Sequence, residues 1–406
     1  MSFEQGLSGL NVASKDLDAI GNNIANASTV GYKAGRAEFA DVFASSLAGG
    51  SSTQIGIGAK VAAVRQQFTQ GDISTTSNPL DVAINGAGFF RLTTNGTVSY
   101  SRNGQFSLDK DGYLVSNSGA RLTGYPADIN GQVVASTPVD LQLSLANIAP
   151  KPTSQASLSL NLDSRDTPPT SAFSMTNPSS YNSSTAMTVY DSQGNSHTLT
   201  TYYVNTGPNT WDVYAAADGA ALNGGAVVGS LNFGSGGTLP ADATMNVSIP
   251  LTNGAATPLA IPITYPASSM TQFGVDFAVS QLQQNGYTTG TLSGFSIGSD
   301  GTVLGQYTNG QSRAQGQIVL ANFVNPQGLI ALGNNQWSES SDSGQALVSS
   351  PGSGTLGVLQ SGALEDSNVD LTAELVNMIT AQRTYQANAQ TIKTQDQVDQ
   401  TLVNLR

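Results

Sequence analysis

The apolar positions of this chain change period twice. Near the start, Phe3, Leu7, Leu10, Leu17 and Ile24 recur at alternating three- and four-residue steps or their sums. Near the end, Leu371, Leu375, Met378, Tyr385, Ala389 and Ile392 follow the same rule. That is the seam pattern of a helix packed along another helix. It predicts one helix over about residues 3–27, with Asn26 as a left-handed cap, and a second opening near Ser367 or Asn368 as N-cap. A lone helix of this length is marginal in water, because nucleation is costly and its stripe stays unburied. Each stripe therefore needs a partner, in the same chain or in a neighbouring copy.

Between the stripes the period drops to two. From Asp72 to about 145 the apolar positions Leu80, Val82, Ile84, Phe89, Phe90, Leu92, Val98, Tyr100, Phe106 and Leu108 read as strands. Asn-Gly at 85–86, 95–96 and 103–104 and Asp-Gly at 111–112 mark tight turns between them. Residues 28–70 hold Tyr32, Phe39 and Phe43, then Gly49-Gly50-Ser51-Ser52, then Ile55, Ile57, Val61 and Val64; they read as a linker with short extended pieces. Over about 147–288 charge nearly vanishes, and strands at 186–190, 199–204 and 211–214 alternate about a Gln193-Gly194 turn. The segment 295–304 repeats the pattern of 106–115, Phe-Ser-aliphatic-x-x-Asp-Gly-x-aliphatic-aliphatic. The two matching hairpins bracket the charge-poor stretch, so one β-domain is expected to carry a second as an insert. The expected fold class is mainly β with terminal α-helices: the N- and C-terminal helices pair as a coiled coil, and a β-rich domain has a second β-domain inserted into it. The expected division is 1–29 with 366–406 (helical), 30–71 with 358–365 (linker), 72–146 with 289–357 (middle β) and 147–288 (outer, inserted β).

Composition narrows the function. The 406 residues exceed one ordinary core. Only 10% are charged, far below the usual share, so Ser, Thr, Asn and Gln must supply the polar surface. The net charge is −12, and no Lys or Arg occurs from Asp166 to Ser312. That span cannot neutralise phosphates, so no nucleic-acid partner is expected. It also offers trypsin no cleavage site. Cysteine is absent, which removes disulfides and thiol chemistry. The first residues carry Glu4 and no basic, then apolar, run, so a cleavable signal peptide is not expected. No apolar run reaches the roughly 18 residues a spanning helix needs, so membrane insertion is not expected either.

Candidate chemistry is sparse. His197 is the single histidine and reads as a surface residue on a strand, which leaves no histidine-based triad or cluster. Asp109-Lys110-Asp111-Gly112 resembles a calcium loop but has Gly fourth and Ala120 twelfth, so a hairpin turn fits better. Gly56-Ile57-Gly58-Ala59-Lys60 lacks the Gly-Lys-Ser/Thr of a phosphate loop. No two carboxylates pair in sequence as a glycosidase would need. No catalytic residue, metal or cofactor is expected, and the chain does not read as an enzyme. The second helix is unusual in another way: Gln386, Gln390 and Gln397 belong to faces rich in amides and poor in charge, suited to lateral hydrogen bonding between copies or to a neutral channel wall.

Three segments together resemble the rod and hook family of bacterial flagellar axial proteins. The first runs Leu17 to Lys33 and holds Asn22-Asn23-Ile24-Ala25-Asn26, Thr29 and Gly31-Tyr32-Lys33. The second is Asp81-Val82-Ala83-Ile84, Gly86 and Gly88-Phe89-Phe90. The third runs Gly362 to Leu371 and on through Gln382-Arg383, Tyr385-Gln386 and Asn388 to Thr394. The long insert and the segment Tyr190 to Asn195 are similar to the hook branch of that family. The resemblance implies a curved, tubular helical homopolymer outside the cell, a universal joint passing motor torque from rod to filament. It implies that both helix stripes serve assembly, that Gln386, Gln390 and Gln397 face the lumen, and that subunits pass through the flagellar type III export apparatus. It implies, as partners besides further copies, the distal rod protein, the hook cap protein, the hook-length control protein and the hook–filament junction protein. Two other readings compete: a straight distal-rod-like axial protein, and an extracellular β-rich carbohydrate-binding or hydrolytic protein with helical tails.

Overall fold

The computed structural model describes residues 3–42 and 56–404. The chain opens with helix α1 (Phe3–Ala25), closes with helix α2 (Leu371–Asn404), and is otherwise almost wholly β. No helix is long and apolar enough to cross a membrane among the described residues. The chain divides into two compact units, residues 1–145, 294–306 and 312–406 in the first, and 146–293 with 307–311 in the second.

In the first unit, α1 and α2 lie against each other in antiparallel sense: Asn23 near the end of α1 bonds Glu374 near the start of α2, and Gly6 sits opposite Ile392. The N-cap of α2 is Asp370, two residues past Asn368 and three past Ser367; its Oδ1 accepts from the amides of Thr372 and Ala373 at 2.9 and 3.1 Å. Asn26 is not left-handed; its side chain donates back to Asn22 O, and Gly31 (φ 69°) takes the left-handed position. The expected linker is more ordered than its composition implied. Strand β1 (Gly35–Val42) pairs antiparallel with β2 (Gly58–Gln66), with a bulge at Glu38/Phe39. This hairpin lies along α1, where Gln5 donates to Gly56 O and the Ala59 amide donates to Ser8 Oγ. Phe43, Gly49 to Ser52 and Ile55 lie outside the described residues.

The sheet body alternates as its period-two pattern requires. Phe89 and Phe90 are consecutive and face opposite cores: Phe90 joins Val82, Ile84, Leu92, Leu122 and Ile318, whereas Phe89 joins Tyr100, Phe323 and Trp337. The Asn95-Gly96 turn has both residues at positive φ and closes strands Phe89–Thr94 and Thr97–Ser101. The two similar hairpins both belong to this body's sheet. Phe68, just after β2, inserts edge-on against Phe89 and Trp337 at 5.4 and 5.5 Å between ring centres, anchoring the helix-side hairpin to the body.

The second unit holds two five-stranded sheets that share one core, including Leu160, Val189, Leu199, Tyr203, Trp211, Ile261, Ile263 and Tyr265. His197 is not a plain surface residue. Its Nδ1 lies 2.6 Å from Asp218 Oδ2 and its Nε2 3.4 Å from Asp191 Oδ2. Burial opposes charging of the imidazole, but the two carboxylates outweigh it and raise its pKa. Buried Asp191 also accepts from Gln193 N, Asn195 N and the side chains of Asn195 and Asn253; these bonds overcome its burial and hold its pKa well below the usual carboxylate range.

Candidate assembly surface and neck

The helix contact runs along small and polar residues. Buried positions on α1 are Gly6, Ala13, Ile20 and Asn23, and on α2 only Ala381 is buried. A Cβ on Gly6 would come within 2.9 Å of Ile392 Cγ1, and one on Gly9 within 2.6 Å of Asn388 Oδ1, so these glycines permit the close approach. The apolar stripes read from the sequence only partly face this contact. Leu10, Leu17 and Ile24 on α1 and Met378, Ala389 and Ile392 on α2 are half-buried. Phe3, Leu7, Leu371, Leu375 and Tyr385 are exposed, at 51%, 44%, 47%, 50% and 37%. The difference has a physical reason: the seam is offset by about one residue toward glycine and alanine, because backbone proximity, not large side chains, sets the register.

Further apolar side chains on α2 are open as well. Val376 and Ile379 extend the exposed patch that starts at Leu371, while Val398, Leu402 and Val403 lie exposed toward the end of α2. Phe39 and Val64 are exposed on the β1–β2 hairpin. Gln386, Gln390 and Gln397 are all exposed. Grouped exposed apolar side chains make these helix faces candidates for an interaction surface.

Where the helices meet the sheet body, three chain segments pass side by side: 26–34, 67–72 and 365–370. Glu365, fully buried, ties all three. Its Oε1 accepts from Lys33 Nζ at 2.6 Å and from the Gly71 amide at 2.9 Å, and its backbone carbonyl accepts from Gly31 N at 2.8 Å. Lys33 Nζ also donates to Thr69 O at 2.7 Å. Arg102 Nε stands 3.4 Å from the other carboxylate oxygen, and its Nη2 donates to Gly86 O. Two cations thus share one buried anion. Burial lowers the pKa of both Lys33 and Arg102; the Glu365 charge resists this, and for Lys33 the Arg102 charge adds to the depression. Gly31 is required here, because a Cβ would meet the Asn103 amide at 2.6 Å.

Asn368 makes the second knot. Its Nδ2 donates to Gln67 O and Thr69 Oγ1 at 2.7 and 2.9 Å, and its Oδ1 accepts from Ala34 N at 2.8 Å. The Asn23 side chain then pairs with both backbone groups of Gly35, accepting from N and donating to O, and donates to Glu374 Oε1 at 2.9 Å. Tyr32 OH donates to Asn22 and Asn23 Oδ1 at 3.0 and 3.2 Å. The remaining motif residues Ala25, Asn26 and Thr29 form the turn out of α1, where Thr29 N donates to Asn26 O. Asp81, Val82, Ala83, Ile84, Gly86 and Gly88 lie in the sheet body, with Val82, Ala83, Ile84, Phe89 and Phe90 wholly inside it. Glu365, Asn368 and Arg102 were not recognisable as a site from sequence.

Four family profiles match in chain order. They are Flagella basal body rod protein over residues 3–33, Flagellar hook protein FlgE/F/G D1 domain over 83–154, Flagellar basal body protein FlaE D2 domain over 161–287, and Flagellar basal body rod FlgEFG protein C-terminal over 360–405. The Flagellar hook protein FlgE of Escherichia coli strain K12 is 47% identical over 412 residues, covering 100% of this chain and 100% of that protein. The chain belongs to the flagellar hook protein family. A more distant family member, the Flagellar hook protein FlgE of Borreliella burgdorferi, is 33% identical over 100% of this chain and 99% of its own length. A solved Helicobacter pylori flagellar hook protein FlgE2 aligns at a TM-score of 0.49 and 14% identity, over 72% of this chain and 100% of that one. Of the neck residues, Lys33 closes the first match, Arg102 lies in the FlgE/F/G D1 match, and Glu365 and Asn368 lie near the start of the last.

Proposed function

We propose that the chain is the structural subunit of a bacterial flagellar hook. Copies associate head-to-tail with a rotation that does not close, which builds an open helical tube. The tube is curved, acts as a universal joint between rod and filament, and encloses an export channel. The chain is structural and not an enzyme. The observation that carries this reading is the full-length similarity to hook proteins, joined to apolar faces on both terminal helices that their own pairing leaves open.

In this reading, neighbouring copies bury Phe3, Leu7, Leu371, Leu375 and Ile379, each contributing about 1 kcal/mol once enclosed, since about half of each side chain is already covered. Several such contacts per subunit offset the entropy of adding it to the tube end. The amide face with Gln386, Gln390 and Gln397 lines the channel, where it offers passing unfolded chains neither an apolar nor a charged trap. The sheet units form the middle and outer layers. A bent tube turning about its own curved axis must lengthen and shorten each row of subunits every revolution. Surface contacts between uncharged polar residues permit sliding, since few ion pairs fix a register there. The subunit leaves the cell through the flagellar type III export apparatus and, at the tube ends, meets the distal rod, hook cap, hook-length control and hook–filament junction proteins.

Purified subunits, concentrated and seeded, are expected to form curved tubes visible by electron microscopy. Straight tubes would favour the distal-rod reading. A monomer that stays dispersed at high concentration and binds sugars would defeat both.

A further inference from the structure

The chain holds eight Asn-Gly pairs, at 85–86, 95–96, 103–104, 130–131, 223–224, 253–254, 285–286 and 309–310. Such a pair can lose ammonia without an enzyme. The glycine nitrogen attacks the asparagine Cγ, a cyclic imide closes, and water reopens it to aspartate or isoaspartate. Glycine suits the step because it has no Cβ to block the approach. A folded chain must leave the side-chain amide unbound, the glycine N–H unbound, and room for the turn to rearrange. Seven of the pairs fail at least one condition. Gly86 N donates to Gln70 Oε1 at 3.0 Å, and Asn103 Oδ1 accepts from Gln105 N at 2.9 Å. Gly131 N donates to Asp128 O at 3.0 Å. Asn223 Nδ2 donates to Val227 O, and Asn253 Nδ2 to Asp191 Oδ2, at 3.0 and 2.6 Å. Asn285 Oδ1 accepts from the amides of Ser154 and Gln155. Asn309 Nδ2 donates to Thr288 O, while Gly310 N donates to Tyr307 O.

Asn95 differs. Neither its side chain nor the Gly96 amide has a hydrogen-bond partner among the described residues. Nothing lies within 4 Å of where a Cβ on Gly96 would stand. Thr94, Asn95, Gly96 and Thr97 are all exposed, so the last rung of the hairpin, Thr94 opposite Thr97, can open while Leu92 and Tyr100 stay buried beneath it. We propose that Asn95 is a deamidation site of the folded subunit. The Gly96 nitrogen bonds to Asn95 Cγ, the bond from Cγ to the side-chain nitrogen breaks, and ammonia leaves with the Gly96 amide proton. Water then adds across the imide, its hydroxyl to one carbonyl carbon and its proton to the nitrogen. The aspartyl product keeps the turn, since Asp-Gly also fits it, and adds a negative charge. The isoaspartyl product puts an extra methylene into the backbone of a two-residue loop and disturbs the alignment of Thr94 with Thr97. Charge and register at this hairpin tip therefore change as the subunit ages.

The test is peptide mapping by mass spectrometry after the full-length subunit is incubated at mildly alkaline pH, once folded and once in urea. In urea all eight pairs are expected to convert at similar rates. In the folded chain, each hydrogen bond that must open before attack slows conversion by about fivefold. Asn95 is therefore expected to convert at least about fivefold faster than each of the other seven. Asn95→Asp supplies the aspartyl peptide as a standard, and a second peptide of equal mass and different retention is the isoaspartyl product that only the imide route forms. Conversion of any other pair as fast as Asn95 in the folded chain, equal protection of all eight, or an aspartyl product alone would each overturn the proposal. The subunit is kept dilute throughout, so the result does not depend on tube formation or on the hook reading.

Discussion

Replacing Glu365 by Gln keeps the size of the side chain and an acceptor for the Gly71 amide, but removes the one anion between two buried cations. Lys33 and Glu365 side chains are both 0% exposed and Arg102 only 4%, so water cannot screen the charges left behind. Breaking a buried ion pair by removing one partner costs about 3–5 kcal/mol. Lys33→Met takes away more hydrogen bonds, those to Glu365 and to Thr69 O, yet leaves Arg102 and Glu365 as a neutral pair. Its cost is about 1–3 kcal/mol, the penalty of unmade bonds. The charge account therefore ranks Glu365→Gln as the worse change, and a bond count ranks it the milder. Urea unfolding followed by fluorescence separates the two, because the chain has two tryptophans, Trp337 in the first unit and Trp211 in the second. In a Trp211→Phe background, a loss of about 4 kcal/mol at an m-value of about 3 kcal/mol/M lowers the Trp337 midpoint by about 1.3 M. A Lys33→Met midpoint at or below that of Glu365→Gln would refute the reasoning.

The second unit should lose stability as pH rises. The folded pKa of His197 is raised above its ordinary value of 6.5, so its contribution is fully present below that pH and is lost as pH climbs through the folded pKa. The urea midpoint reported by Trp211 should fall over this window in the parent chain and stay level in His197→Gln; a rising midpoint would contradict the assignment. Gly6→Leu drives a side chain into Ile392 and should abolish tube assembly while leaving the stability reported by Trp337 within about 1 kcal/mol of the parent, because the clash falls in the helix pair and not in the sheet body that holds Trp337. The amide of Ile148 and the carbonyl of Gly290 are 2.9 Å apart, so a short Gly-Ser turn can replace the residues between them. That deletion should still give tubes by electron microscopy, but straighter ones; complete loss of assembly would remove the sliding-layer account.

Much of the fold was legible in local pattern. Turn chemistry located the Asn95-Gly96 and Asp111-Gly112 hairpins, because those pairs tolerate the positive φ the turns demand. Heptad spacing located both helices. What escaped was contact without a hydrophobic signature. The helix seam rests on Gly6, Gly9 and Asn388, where the signal is an absent side chain. The segment 28–70 looked like a linker, yet Phe39 and Val61 pair across a hairpin that leans on α1. Asn368 looked like a helix cap and serves the neck instead, with Asp370 taking the cap. The partners Lys33 and Glu365 stand 332 residues apart, and nothing in either neighbourhood names the other.

The central claim is that the exposed faces of α1 and α2 are the contacts that make a tube. Helical reconstruction of the polymer grown from the purified subunit tests it most directly. The account predicts a curved tube with the helix pair innermost, Leu371, Leu375 and Ile379 buried against neighbouring copies, and Gln386, Gln390 and Gln397 on the channel wall. A tube held together by the sheet units, with those apolar side chains still open to solvent, would contradict it.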